Sequence, residues 1–135
     1  MNRALKISWV FVVSILLVWG CAEDKDPNFE VRQQYLGEWA ANDREGWNAP
    51  AFYNITITAG EADDEIIING LYNIPDAALR AYIDGTEVTI PSQTTADIDF
   101  AGSGQANADF DQVTFDYTAN DGSGSDEVKT VCKRP

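Results

Sequence analysis

Ala78-Leu79-Arg80-Ala81-Tyr82-Ile83-Asp84-Gly85-Thr86-Glu87-Val88-Thr89-Ile90 decides the fold class. Leu79, Ala81 and Ile83 alternate with Arg80, Tyr82 and Asp84, and Val88 and Ile90 alternate with Glu87 and Thr89. Period two is the spacing of strands with one buried face, because successive side chains on a strand point to opposite sides. Asp84-Gly85 between the two runs is a hairpin signal, since glycine supplies the positive φ that tight hairpin turns require. Pro91 is expected to halt the second strand.

The same period extends outward in both directions. Towards the N-terminus, Tyr53, Ile55 and Ile57 alternate with Asn54, Thr56 and Thr58, and a turn over Gly60 to Asp64 leads into Ile66 to Ile68. Towards the C-terminus, Ile98 and Phe100 open a strand, and Val113, Phe115 and Tyr117 alternate with Thr114, Asp116 and Thr118. The loop Asn120 to Asp126 then leads into a last strand near Val128 to Lys133. One helical stretch is predicted, Pro27 to Leu36, with Asp26 as its cap and Pro27 suited to the first turn. Seven or eight short strands, each with one apolar face, make an all-β antiparallel meander, which must cover that face and pair its edges by closing into a barrel or packing as a sandwich.

Before this region the chain has another character. Arg3 and Lys6 precede an almost purely apolar run from Ile7 to Trp19, thirteen residues that are too short to span a bilayer comfortably and read as a secretory signal. The segment ends Leu16-Leu17-Val18-Trp19-Gly20-Cys21, which resembles a lipobox. That resemblance implies lipidation of Cys21, cleavage after Gly20 and acylation of the new N-terminus. Several acyl chains hold a protein firmly, at about 0.8 kcal/mol per buried methylene. The expected organisation is a signal peptide at 1–20, an acidic tether at 21–27 and one domain at 28–135. Ala22-Glu23-Asp24-Lys25-Asp26-Pro27 is too polar to fold by itself. It looks like the acidic export signal of surface lipoproteins in the Bacteroidetes, so an outer membrane location facing the cell exterior is expected.

All 22 acidic residues but only seven of the nine basic ones lie after Gly20, which leaves a net charge of −15. Nucleic acid is disfavoured as a partner, while a basic protein, a cation or a neutral glycan remains open. Cys132 has no partner once Cys21 carries lipid, and it reads as a small buried hydrophobe.

There is no histidine, so Ser-His-Asp and Cys-His hydrolysis and the usual zinc and haem sites are excluded. Two carboxylates suffice for glycoside cleavage. Asp97 and Asp99, however, fall on the polar face opposite Ile98 and Phe100. No enzyme activity and no cofactor are expected. Asp121, Asp126 and Glu127 surround glycines and form a weak calcium candidate that does not fit the twelve-residue calcium loop. The stretch Ala101-Gly102-Ser103-Gly104-Gln105 lacks the lysine and helix of a phosphate loop, and reads as a bulge or barrel corner.

Gly37-Glu38-Trp39, after the short helical turn, together with Lys133-Arg134 after the last strand, resembles the lipocalin or calycin signature. In that family Gly-x-Trp opens the first strand of an eight-stranded up-and-down barrel, and the tryptophan packs at the closed end beneath a basic residue from the last strand. The resemblance assigns barrel closure to Gly37, Trp39 and Arg134, with Lys133 as the alternative cation, and it covers only the two ends of the domain. Small lipocalin-like lipoproteins of the Bacteroidetes have this length, anchor and strand order. The leading functional expectation is a non-enzymatic binding module for a small apolar molecule or a glycan fragment, with Trp47, Phe52, Tyr72 and Tyr82 as ligand-binding aromatics. The alternatives are an inhibitor of a cationic hydrolase, with Gly102-Ser103-Gly104 as the inserting loop, and a structural subunit of an envelope complex.

Overall fold

The computed structural model describes residues 26–135. The expected signal peptide, the lipidated Cys21 and nearly all of the tether lie outside the described residues. Eight antiparallel strands follow one another around a closed barrel: β1 Gly37–Glu45, β2 Ala51–Ala59, β3 Glu65–Asn69, β4 Ala78–Asp84, β5 Glu87–Thr95, β6 Ile98–Ala106, β7 Gln112–Asn120 and β8 Ser125–Lys133. Closure is made by β1 against β8, with Ala41 opposite Cys132 and Asp43 opposite Thr130. The all-β up-and-down barrel of eight strands, with a short helical turn before it, is therefore the architecture, and it is consistent with a lipocalin-like fold.

Inward positions carry the apolar set of each alternation. Trp39, Phe100, Phe115, Ile55, Ile57, Ile66, Ile68, Leu79 and Val88 are all buried. An eight-stranded barrel has an interior that its own side chains fill or that holds one small ligand. The helix is shorter than the sequence predicts: one α turn, α1 Asn28–Val31, runs into a 3-10 turn at Arg32–Gln34. The Asp26 carboxylate accepts the Asn28 N–H at 2.9 Å, so the expected cap forms.

Three local expectations are corrected. Pro91 does not end β5, which continues to Thr95. The ladder with β6 shifts register between Ile90 and Gln93, and a bulge is where a sheet tolerates a residue without an N–H. Beside it the Gln93 side-chain amide replaces a peptide group, accepting the Arg80 N–H and donating to the Arg80 carbonyl, both at 2.8 Å. Secondly, Asp97 does not lie on a strand; with Ala96 it forms the β5–β6 turn, at φ values of 63° and 53°. Two successive positive φ angles are the backbone of a tight hairpin turn, here made without glycine.

Thirdly, Gly102-Ser103-Gly104 is not a loop but the middle of β6, paired on both sides with β5 and β7, and the expected bulge lies beside Gly102, on the β5 side of the ladder. A Cβ on Gly102 would overlap the Asp116 carbonyl and come within 2.5 Å of the Tyr117 Cα, and one on Gly104 would lie 2.7 Å from the Phe115 ring. Gly102 lets the β7 backbone approach closely, and Gly104 makes room for the inward Phe115 ring. A hydrolase inhibitor therefore has no protruding insert at this point.

Candidate functional site at the open end of the barrel

The two ends differ in kind. One is shut by α1, the turns after β2, β4 and β6, and the C-terminus. Trp39 lies there fully buried, its Nε1 donating to the Tyr35 carbonyl at 2.8 Å. The Arg134 Cζ stands 3.8 Å from the centroid of the Trp39 ring, a cation over an aromatic face. The Arg134 guanidinium also donates to the carbonyls of Gln34 at 2.6 Å and Leu36 at 3.1 Å. Gly37 has φ +113°, and a Cβ there would sit 3.3 Å from Arg134 Nη1, which explains glycine at that position. Gly37, Trp39 and Arg134 thus come together at one end, and Lys133 points elsewhere. Beside them the buried Arg32 donates to the Ala62 carbonyl at 2.6 Å and the Glu65 carbonyl at 3.2 Å.

The opposite end is bounded by the β1–β2, β3–β4, β5–β6 and β7–β8 connections, and its inside is polar. Asp43 and Asp126 are 2% and 1% exposed, with no cation among their hydrogen-bond partners. Burying a carboxylate is costly unless donors satisfy it. Asp43 accepts from the Tyr53 hydroxyl at 2.7 Å and the Thr130 hydroxyl at 2.5 Å. Asp126 accepts the Trp47 backbone N–H at 3.0 Å and the Tyr72 hydroxyl at 2.7 Å. The two halves join where the Tyr72 N–H donates to the Tyr53 hydroxyl at 3.0 Å.

Burial pushes the Tyr53, Tyr72 and Tyr117 hydroxyls well above the ordinary phenol value, and the neighbouring carboxylates push the same way. These phenols therefore stay protonated and act as donors. The Tyr72 ring meets the rings of Phe100 and Tyr117 edge-on, with centroids 6.3 and 6.4 Å apart. Its backbone has φ 63°, in the left-handed region that bulky residues avoid, so the network holds Tyr72 against local strain. Cys132 is also buried, and burial raises its thiol pKa far above the usual range.

The four expected aromatics do not form one site. Trp47, 60% exposed, and Tyr72 meet at the open end through Asp126. Phe52, 76% exposed, is on the outer wall of β2, and Tyr82 is on the outer wall of β4 in the half nearer the closed end. The calcium candidates also separate. Asp126 points inward, Glu127 is exposed on the other face of β8, and Asp121 is in the loop, where the Ser123 hydroxyl and N–H hold its carboxyl below the usual range. Among the described residues no group of three or more His, Cys, Asp or Glu side chains is placed to hold a metal ion.

Asp43 and Asp126 were missed as a pair. A signal for them exists: Asp43 is in phase with Trp39 and Ala41, and Asp126 with Val128 and Cys132, so both carboxylates occupy inward positions of otherwise buried series. No protein-family model matches the chain, and no curated protein matches it.

Proposed function

We propose that this protein is a non-enzymatic binding module, held to the outer membrane through a lipidated Cys21 and facing the cell exterior, that takes a small amphipathic molecule or a glycan fragment across its open end. One observation carries the reading. Trp47 is largely exposed, yet its backbone is tied to a buried carboxylate that also fixes Tyr72, so an aromatic surface is presented in a set position. Holding a ring in place before binding reduces the ordering cost of the complex. Large buried rings, Phe100, Phe115 and Tyr117, line the barrel behind it, and the reading places the ligand against the mouth.

The test is native mass spectrometry and thermal shift of the domain from residue 26 onward, across a panel of fatty acids, aromatic amphiphiles and neutral oligosaccharides, with Trp47→Ala alongside. At least one panel member should raise Tm for the unaltered domain and lose that effect in Trp47→Ala. A panel that leaves Tm and mass unchanged removes the reading. Anchoring is tested separately by Cys21→Ser in the full chain, which should move the protein from the membrane fraction to the soluble one.

A further inference from the structure

The structure assigns a second binding seat to the outer wall over β1, β2 and β8, and its chemistry is that of a carboxylated sugar ring. Here Phe52, Asn42 and Val131 stand side by side across three strands, since Asn42 is the register partner of both others. Around them is a depression of about 210 Å³ lined by Ala40, Asn42, Arg44, Phe52, Val131 and Lys133. That is below the range of about 300–1,000 Å³ for drug-sized ligands, which leaves room for one small ring.

Charge selects the ligand. The described residues hold 20 acidic and six basic side chains. Arg32 is buried at the closed end, Arg134 lies on Trp39, and Lys129 pairs with Asp116 at 3.7 Å. That leaves Arg44, Arg80 and Lys133, and two of these three, Arg44 and Lys133, line the same depression without an ion-pair partner within 4.0 Å among the described residues. A positive spot on an acidic surface complements an anion and repels other cations.

Two further features turn an anion site into a sugar site. The Phe52 ring stands 76% exposed at the edge of the depression, a flat apolar face against which the C–H face of a sugar ring packs. Asn42 Oδ1 has no hydrogen-bond partner among the described residues and is covered, so a hydroxyl satisfies it once the half-buried Asn42 side chain turns outward. An apolar face, a vacant acceptor and two cations match a ring with C–H bonds, hydroxyls and a carboxylate.

The seat faces outward from the wall beside the β1–β2 connection, and Trp47→Ala distinguishes its failure from that of the open-end reading. Nitrogen–proton NMR of the domain from residue 26 onward is followed during titration with glucuronate, glucose and acetate at low salt. Glucuronate should shift the amides of residues 40–44, 52 and 131–133, at least tenfold more tightly than glucose or acetate. Phe52→Ala and Lys133→Gln should each weaken it by at least fivefold, and Trp47→Ala should leave it unchanged. Acetate binding as well as glucuronate, shifts outside these strands, or equal binding by Phe52→Ala each overturns the proposal. An oligouronide that binds more tightly than glucuronate identifies a polymer as the source, and equal affinity identifies the free sugar; either supports the seat.

Discussion

The two ends of the barrel hold charge in different ways. At the closed end two arginines stand over main-chain carbonyls and, for Arg134, over the Trp39 ring. Their partners belong to the backbone, so the positive charges fasten the chain to itself. At the open end two carboxylates are buried among tyrosine and threonine hydroxyls. Those partners, with the Trp47 backbone N–H that Asp126 also accepts, come from separate strands and loops. A guanidinium offers five donors in a rigid fork and can gather several carbonyls at once. A carboxylate has only acceptors, so each of its bonds requires a separate donor carried in by another element. The first arrangement suits closure, and the second suits a mouth whose parts are held individually.

The contrast is broken most severely at Trp39. Trp39→Ala removes the largest buried side chain of the closed end and should cost about 3–5 kcal/mol, read from urea unfolding. A loss below about 1 kcal/mol would show that the closed end does not depend on it. Asp126→Asn comes next, at about 1–3 kcal/mol, because an amide cannot accept from the Trp47 N–H and the Tyr72 hydroxyl as a carboxylate does. Trp39 and Trp47 are the only tryptophans among the described residues, one at each end. Acrylamide quenching should therefore report a freer Trp47 in Asp126→Asn while Trp39 stays shielded. Unchanged quenching would mean that Asp126 does not hold the loop.

Alkali loads both ends, since burial raises the Tyr35 hydroxyl at the closed end as it does Tyr53 and Tyr117. Tyr53 and Tyr117 have native pKa values raised above the ordinary 10.0. Their contribution is complete below pH 10.0 and is lost as pH rises from there towards the native values. The loss is about 1.4 kcal/mol per pH unit for each tyrosine. Urea midpoints should be flat from pH 7 to 9 and fall from pH 10 to 11.5, and Tyr53→Phe should make the fall shallower. The smallest effect is expected from Arg134→Lys, about 0.5–1 kcal/mol, since the charge stays over Trp39 while the fork that reaches Gln34 and Leu36 is lost. A cost above about 2 kcal/mol would mean that closure depends on the fork more than on the ring.

Much of this molecule was legible in residue spacing. The alternations around Leu79, Ile55 and Phe115 located strands, and the pairing of their order with Gly37, Trp39 and Arg134 led to a closed barrel. Spacing reports which face of a strand a side chain occupies, but not where around the barrel that strand stands. Phe52 and Tyr82 fall on the outward phases of β2 and β4, yet only the closed sheet separates them from Trp47 and Tyr72. Three-dimensional substitution was also invisible: nothing local to Pro91 announces that the Gln93 amide takes over a neighbour's ladder bonds. Gly102 and Gly104 imitate a loop by composition. Their reason lies across the ladder, in the close β7 backbone at Asp116 and Tyr117 and the bulk of the Phe115 ring.

The way the chain joins the barrel has a mechanical consequence. Just after residue 26, the Asn28 side chain accepts the Gly85 N–H at 2.9 Å, and Arg32 grips the carbonyls that follow β2. The Tyr35 hydroxyl then holds the Gly85 carbonyl at 2.7 Å. Tension on the preceding segment is thus shared between the β2–β3 and β4–β5 turns before it reaches the first rung of β1 at Gly37. Under the proposed anchoring, a pull from the N-terminal side would load the barrel across its base and spare the seam between β1 and β8 from peeling.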